Sequence, residues 1–568
     1  MDLGNAIRHQ ADVVVVGSGL AGMMAALTAR EQGASVALVA QGKIGEASNS
    51  WLASGGLAAV TGVDPEDSPE NHLKDIERAA RGLAMPDIAR VFVDEAGPAI
   101  RKLEELGVQF HKRDGDLALF PAPGHSRARS VRCEGGGAVA LMTTLIERAR
   151  ERAIDLVGDL TVVEVLKSAT NEACGVLAWG PEGWVVFEAK SVVLACGGMG
   201  RLFPLTSNHE LADGSGYYLA LKAGATLTDL EFVQFTPTSL AWPPEVRGTS
   251  TGGGLMAQPG VQLLNANGER FMTRYDPERM EAATRDVLSR AIFREVSEGR
   301  GTANNAVYVD ISATERSAVE QVSGRFLRAI EKSGIDPYRE RVEVAPDVHF
   351  AMGGVVVDTD GRTAVPGLFA AGEITVGLHG ATRLNSNGLT EAAVFGIRAG
   401  RAAAAGASHT PAMTADPSRL SRVVRLLITN DPRATSGLAH DDDVIQLPNY
   451  RHTASDAGDM TALRTELAAI LNLGAGIERS EQSITEAISR HSALAARIDE
   501  VLSGCDPDIA FRLEAAFVLS RLILRASQLR DESRGAHYRI DRPDQHQGWS
   551  RHIVFTTEAG KVSQTPAN

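Results

Sequence analysis

Three glycines at Gly17-x-Gly19-x-x-Gly22 have a spacing with a definite chemical use. The first closes a tight turn, the second lets the backbone meet a pyrophosphate, and the third lets a helix pack closely on a strand. The helix that follows offers free N–H groups and the positive end of its dipole to phosphate oxygens, and Leu20 and Ala21 within the turn join the cofactor site. Two later segments repeat the passage from strand to glycine, Val192-Val-Leu-Ala-Cys-Gly-Gly-Met-Gly200 and Gly367-Leu-Phe-Ala-Ala-Gly-Glu373. One such turn is common in α/β proteins; three in this order let a chain return repeatedly to one long dinucleotide. An acidic residue is expected to meet a ribose at the end of the second strand. Val39-Ala-Gln-Gly-Lys43 stands there instead, which leaves the ribose to Gln41, Lys43 or the backbone.

The elements that must hold these turns are legible in outline. Asp12–Val16 is a β-branched run of the buried parallel-strand kind. Met23–Gln32 reads as a helix closed by Gly33, and Ala34–Val39 as the next strand, which completes a βαβ opening. Asp87–Leu106 has apolar residues at helical spacing, and the region 85–155 is expected to be mainly helical. Leu160–Leu166, Ala173–Trp179 and Trp184–Glu188 form a strand meander between two dinucleotide-type strands. Residues 240–345 begin Gly/Thr-rich and turn helical over Ala282–Glu298 and Ser317–Ser333, as an inserted second domain would. Strands return at Gly354–Val357 and Leu368–Ala371, followed by an Ala/Gly-rich helix ending near Gly406. A polar stretch over 407–460 reads as a boundary with a long loop, and the residues of 460–530 are helical with an apolar stripe.

Composition narrows the function class. A chain of 568 residues is too long for one core, so two or three domains are expected. Its 44% hydrophobic and 23% charged residues are those of an ordinary soluble protein. A net charge of −14 disfavours nucleic acid as the main partner, while a few arginines could still form a basic pocket for an anionic substrate. Cys133, Cys174, Cys196 and Cys505 lack metal-ligand spacing, so no metal site or disulfide framework is expected, and the setting reads as cytoplasmic. No apolar run spans a bilayer, and Val13–Val16 is too short for a signal's apolar core.

Longer motifs carry a resemblance over nearly the whole chain. They are Ser50-Trp-Leu-Ala-Ser-Gly-Gly-Leu-Ala-Ala-Val60, Gln234-Phe-Thr-Pro-Thr238, Gly268-Glu-Arg-Phe-Met272 and Thr284-Arg-Asp286. His349-Phe-Ala-Met-Gly-Gly354, Gly377-Leu-His-Gly-Ala-Thr-Arg-Leu-Asn-Ser-Asn387 and Glu532-Ser-Arg-Gly-Ala-His-Tyr538 continue the series. The chain resembles the flavoprotein family of L-aspartate oxidase and the flavoprotein subunits of succinate dehydrogenase and fumarate reductase. Gly377-Leu-His-Gly380 and the missing flavin-linking His bring it nearest to L-aspartate oxidase; Asn49 stands in that position, which implies non-covalent FAD. The resemblance implies a Rossmann-like FAD-binding domain over 1–239 and 347–410, an inserted α+β capping domain over 240–346, and a helical C-terminal domain over 411–568. It adds Ser48, Ser54, Gly55 and Gly56 to the cofactor site, then Gly197 and Asp213, and finally Glu373, Asn387 and Leu389.

The resemblance also implies the chemistry: hydride exchange between flavin N5 and a carbon of a small carboxylate or amino acid. Arg285 would handle the proton, while His349 and Arg383 would grip a carboxylate, a task for which the arginine fork is suited. The expected electron acceptor is oxygen, fumarate or a quinone, with a quinolinate-synthesis or electron-transfer protein as partner. The departures from the family pattern are concentrated at one end of the substrate site. Thr236 replaces a substrate-binding His, and Gly253-Gly254 and Ala257-Gln-Pro-Gly260 replace Thr-Glu and Arg-Gly-Glu-Gly. Ala122 stands where L-aspartate oxidases carry a glutamate near the substrate amino group. A rebuilt pocket is expected, with L-aspartate oxidation, a fumarate reductase or succinate dehydrogenase-like reaction, and an inactive flavin-binding partner protein as the alternatives.

Overall fold

The computed structural model describes residues 6–252, 254–409, 423–429, 445–446, 458–502 and 505–558. Its centre is a five-stranded parallel sheet in the order Leu368–Ala370, Ser191–Leu194, Val13–Val16, Val36–Val39, Asp155–Val157. Val13–Val16 pairs in register with Val36–Val39 on one side and Ser191–Leu194 on the other. All three strands are buried along their length, which explains the unbroken runs of valine and leucine. The three glycine turns therefore leave adjacent strands from the same, carboxyl-terminal edge, where α/β sheets bind ligands.

The Leu20–Glu31 helix follows the first turn and packs against the Asn387–His409 helix. Small residues set their separation: a Cβ on Gly396 would lie 2.6 Å from the Ala21 carbonyl oxygen, and one on Gly400 2.3 Å from that of Ala25. The meander forms a second sheet of Thr161–Lys167, Ala173–Gly180 and Gly183–Glu188, to which Ile7–Gln10 adds a parallel edge strand. Within 85–155 the Pro86–Glu105 and Ala138–Glu151 helices are separated by short strand pairs. The helical expectation there is met only in part, because Gly and Pro at 115, 121, 123 and 124 break the helical spacing between them.

A four-stranded antiparallel sheet (Val233–Leu240, Val342–Ala351, Val307–Asp310, Gln262–Leu264) carries the insert. Leu240, Phe271, Phe326 and Val344 belong to a hydrophobic core of its own, covered by the Arg285–Glu295 and Arg316–Lys332 helices. The Val233–Leu240 and Val342–Ala351 strands run through positions 239–240 and 346–347 without a break, so two strands of this sheet cross both ends of the insert. The C-terminal part holds the Gly458–Ala475, Glu481–Ala493, Ala495–Leu502 and Pro507–Leu529 helices. It also contributes strands: His552–Glu558 pairs with Leu227–Thr228 and with Val423–Thr429. Most of the polar stretch at 430–458 lies outside the described residues.

Candidate active site

A cavity of about 1480 Å³ runs from the glycine turn at the sheet edge to the underside of the insert. At its sheet end the fingerprint roles are visible as contacts. A Cβ on Gly17 would meet the Ala195 carbonyl oxygen at 2.2 Å, and φ there is 108°, a conformation suited to glycine. A Cβ on Gly22 would lie 1.9 Å from the Gly17 carbonyl oxygen, so this residue sets helix–strand packing and lies outside the cavity lining. Gly17, Gly19, Leu20 and Ala21 line the cavity, as do Ser48, Asn49, Ser54 and Gly56. Gly197, Glu373 and Leu389 do so from the later turns.

Gln41 also lines this end, and its Nε2 is buried without a hydrogen-bond partner. An unmet buried donor costs about 1–3 kcal/mol, which a ligand hydroxyl would relieve. Lys43, by contrast, is 74% exposed and pairs with Glu46 at 2.5 Å. Gly55 lies behind the lining, packed on Gly137. Asp213 accepts from Arg512 Nε at 2.5 Å, and Asn387 bonds His72 at 3.2 Å; both stand outside the lining. Asn49 is a fully engaged amide: Nδ2 donates to Asn208 Oδ1 at 2.9 Å and Oδ1 accepts from His209 N at 2.8 Å. Its second Nδ2 contact is Glu373 Oε2 at 3.4 Å. Burial pushes the Glu373 carboxyl up to about 7, against the downward pull of the Ala351 N–H and of Asn49.

The insert end of the cavity brings together Thr236, Arg285, His349 and Arg383. Gly253 lies outside the described residues, while Gly252 and Gly254 line the wall, with Gly254 against Val322 of the kinked Arg316–Lys332 helix. Arg285 is the first residue of its helix, the positive end of the dipole, a place a cation would avoid on stability alone. Burial lowers its pKa, opposed by the charge of Asp347. His349 sits at a β-bulge, where the pairing steps from Phe350↔Gln234 to Val348↔Phe235 and leaves it as the extra residue. Ser207 Oγ lies 3.0 Å from its Nδ1. Burial, then the charges of Arg383 and Arg285, hold His349 well below the usual histidine range, so it is neutral at pH 7.

Arg383 stacks over the Phe350 ring at 4.4 Å, and its Nε is buried without a partner. Its Nη1 reaches Gln234 Oε1 only at 3.4 Å, while Gln234 Nε2 donates to the Arg383 carbonyl at 2.9 Å and fixes the backbone. Burial, then the Arg285 charge, lowers it to about 10. The Arg383 guanidinium, which lines the cavity, is therefore poor in protein acceptors. Two residues of this region were not legible in the motifs, Ser207 and Asp347. The signal for Asp347 was weak, since the Val342–Ala351 strand carries two acidic residues, Glu343 and Asp347, and only folding shows that Asp347 is the buried one.

Dinucleotide turns at the edge of a parallel sheet, joined in one cavity to a cationic pocket, define an FAD-dependent oxidoreductase. The family described as FAD binding domain matches residues 12–389, and that described as fumarate reductase flavoprotein C-term matches 464–567. The chain belongs to the flavoprotein family of L-aspartate oxidase, fumarate reductase and succinate dehydrogenase. It is 36% identical to one of the subunits of the fumarate reductase (CoM/CoB) of Methanothermobacter marburgensis, over 96% of this chain and 97% of that one. It is 35% identical to L-aspartate oxidase of Streptomyces coelicolor, over 96% and 91%. Among solved structures, Mycobacterium smegmatis Sdh1 in complex with UQ1 superposes with a TM-score of 0.80 at 30% identity, covering 99% and 96% of the two chains. No helix among the described residues is long and apolar enough to cross a membrane.

Proposed function

We propose that the enzyme interconverts a small carboxylate and its α,β-unsaturated counterpart, and that it does not act on an amino acid. The observation that carries this reading is the charge of the cavity. Arg285, Arg383 and the neutral His349 face one ligand space, and no free carboxylate among the described lining residues stands ready for an ammonium group. The two lining carboxylates are otherwise committed, Glu320 to Arg316 and Glu373 to Ala351 N and Asn49. Ala122 lines the cavity where an ammonium partner would be needed. A site that leaves a buried cation unpaired rejects its bearer strongly.

Arg383 would clamp the substrate carboxylate through its unpaired fork, with His349 as a second, uncharged hydrogen-bonding group held in place by Ser207. Arg285 would hold the proton that leaves or joins the carbon beside the one that exchanges hydride. Bound non-covalently, FAD supplies the hydride acceptor or donor at N5. Gln41 would meet its ribose, and the helix that opens at Leu20 would face its pyrophosphate. Gly252, Gly254 and the lone hydroxyl of Thr236 make the far wall small and weakly polar, which suits a substrate with one charged end. The electrons are passed to or from oxygen, fumarate or a quinone. That the Methanothermobacter marburgensis relative is named as one subunit of a fumarate reductase (CoM/CoB) supports an electron-transfer protein as partner.

Anaerobic mixing of holoprotein with a panel of saturated carboxylates and L-aspartate, and of photoreduced holoprotein with fumarate and short 2-enoates, tests the reading. Bleaching by a saturated carboxylate, or reoxidation by an enoate, is expected, with L-aspartate inert. Bleaching by L-aspartate, with every enoate inert, would establish aspartate oxidation instead.

A further inference from the structure

The insert wall of the cavity lacks the groups with which the family pattern meets a second polar end of the substrate: Thr236 stands for the His, and Gly253-Gly254 for Thr-Glu. The wall on the flavin-domain side carries a cation, Arg132. It lines the cavity from the short Ser130–Arg132 strand, which pairs antiparallel with Gly56–Ala58 and sets Arg132 across from the lining residue Gly56. Side chains alternate along a strand, so Ser130 and Arg132 share the cavity face while Val131 is buried behind them. Ser130 Oγ donates to Ser386 Oγ at 3.0 Å, and the Ser130 backbone exchanges both hydrogen bonds with Phe120. The loop after Phe120 lines the cavity with Ala122 and reaches the same segment as Ser130. His125 Nε2 donates to the Asn385 carbonyl at 2.7 Å, and a Cβ on Gly124 would lie 2.5 Å from Leu384 Cδ2. Strand and loop are both fastened to Arg383-Leu-Asn-Ser386, so the wall that holds Arg132 adjoins the segment that holds Arg383.

The Arg132 guanidinium lies over the Phe120 ring at 4.2 Å, a contact that occupies its face and none of its N–H donors. Among the described residues no hydrogen bond or ion pair engages those donors. Glu134, the nearest acid in the sequence, turns to His111 Nδ1 at 3.7 Å, and the guanidinium of Arg325, another lining residue, is bonded to the Leu52 carbonyl. Burial draws Arg132 below the usual arginine range, with no carboxylate to offset it. Support of Phe120 alone would be met by an uncharged side chain packed on the ring, without desolvating a cation.

We infer that Arg132 binds a second carboxylate of the substrate, the first being held by Arg383, and that this anion site replaces the one missing from the insert wall. The inference rests on the carboxylate-redox reading above and deepens it. The substrate lies along the flavin-domain wall, and its side facing Thr236, Gly252 and Gly254 stays uncharged. Phe120 is two residues from Ala122, so the same cation faces the region where an ammonium partner would be needed, and like charge rejects an amino acid there.

The test titrates wild-type and R132L holoprotein with malonate and glutarate, and with propanoate and pentanoate, monocarboxylates of the same lengths, and reads the perturbation of the oxidised-flavin absorbance. Wild type should hold at least one dicarboxylate roughly 10- to 100-fold tighter than its monocarboxylate, the range for a hydrogen bond between charged groups. In R132L that ratio should fall to near one, with FAD content unchanged, and R132K should keep part of it. The ratio of kcat/KM for fumarate over but-2-enoate, read from reoxidation of photoreduced flavin, should fall by a similar factor in R132L. If R132L loses FAD, R132Q replaces it, with its stem still packed on Phe120. A wild type without preference for a dicarboxylate, or a variant that weakens both ligand classes alike and keeps the ratio, would overturn the inference. Malonate or glutarate binding that depends on Arg132, with no enoate turned over, would instead sink the redox reading and leave the anion site standing.

Discussion

Ser207 Oγ lies 3.0 Å from Nδ1 of His349, a contact between a loop and a bulged strand that holds the imidazole by one nitrogen. Because His349 is neutral, this hydroxyl fixes ring orientation and not charge. S207A should raise KM for the carboxylate substrate about fivefold, the effect of one hydrogen bond, with kcat and FAD content close to wild type. Steady-state kinetics beside flavin absorbance will show this; a fall in FAD content would mean that Ser207 serves the cofactor.

Gln41 and Lys43 should separate cleanly. Q41L removes a buried, unpartnered donor in the cavity, whereas K43A touches an exposed ion pair. Reconstitution of deflavo protein should show FAD binding weaker by roughly tenfold in Q41L, the worth of one buried hydrogen bond, and unchanged in K43A. Equal losses in both would move the ribose contact to the loop.

R383K keeps the charge but loses the fork and the stacking over Phe350. A roughly 10- to 100-fold loss in kcat/KM is expected, the range for a hydrogen bond to a charged group. The flavin spectrum should stay as in wild type.

The C-terminal segment is fastened by buried charge. Arg530 bonds Glu231 through Nε and donates to the carbonyls of Trp549 at 2.9 Å and Arg551 at 2.8 Å. R530A should cost about 3–5 kcal/mol, because Glu231 would be left as a buried, unpaired carboxylate, and should lower the thermal midpoint.

His552 Nδ1 lies 2.6 Å from Asp229 Oδ2, with opposite shifts on the two groups. For His552, burial alone would lower the pKa, but the Asp229 charge outweighs it and raises the value above 6.5. Its contribution to stability is complete below 6.5 and is lost as pH rises through the raised value. Asp229 is drawn below 3.8 by His552 and Arg530 against its burial, so its contribution is complete above 3.8 and is lost as pH falls through the lowered value. The stability difference between wild type and H552N should therefore be largest between those pH values and shrink above 6.5, as read from denaturation midpoints at several pH values.

The βαβ opening, the strand meander and the C-terminal helices were legible because each is a local pattern: a buried valine run, a period of two, an apolar stripe. The interruption within 85–155 was hidden because helices on either side dominate its composition, while the short strands at Lys112–Arg113 and Asp116–Leu117 have no hydrophobic period. The pairing of His552–Glu558 with Leu227–Thr228 joins residues more than 300 apart, and no local spacing can express it.

For the site, the sequence by itself determined the residue types: glycines that only a close-approaching ligand or helix would require, and Arg285, His349 and Arg383 within recognisable motifs. Only the tertiary structure decided which of these share one cavity and in what state. Burial, not residue type, makes His349 neutral and lowers Arg383 to about 10. Packing leaves Gln41 Nε2 unpartnered while Lys43 reaches solvent. Desolvation and unmet hydrogen bonds are properties of the whole surrounding shell, contributed by strands and helices far apart in the chain, so they exist only once the chain is folded.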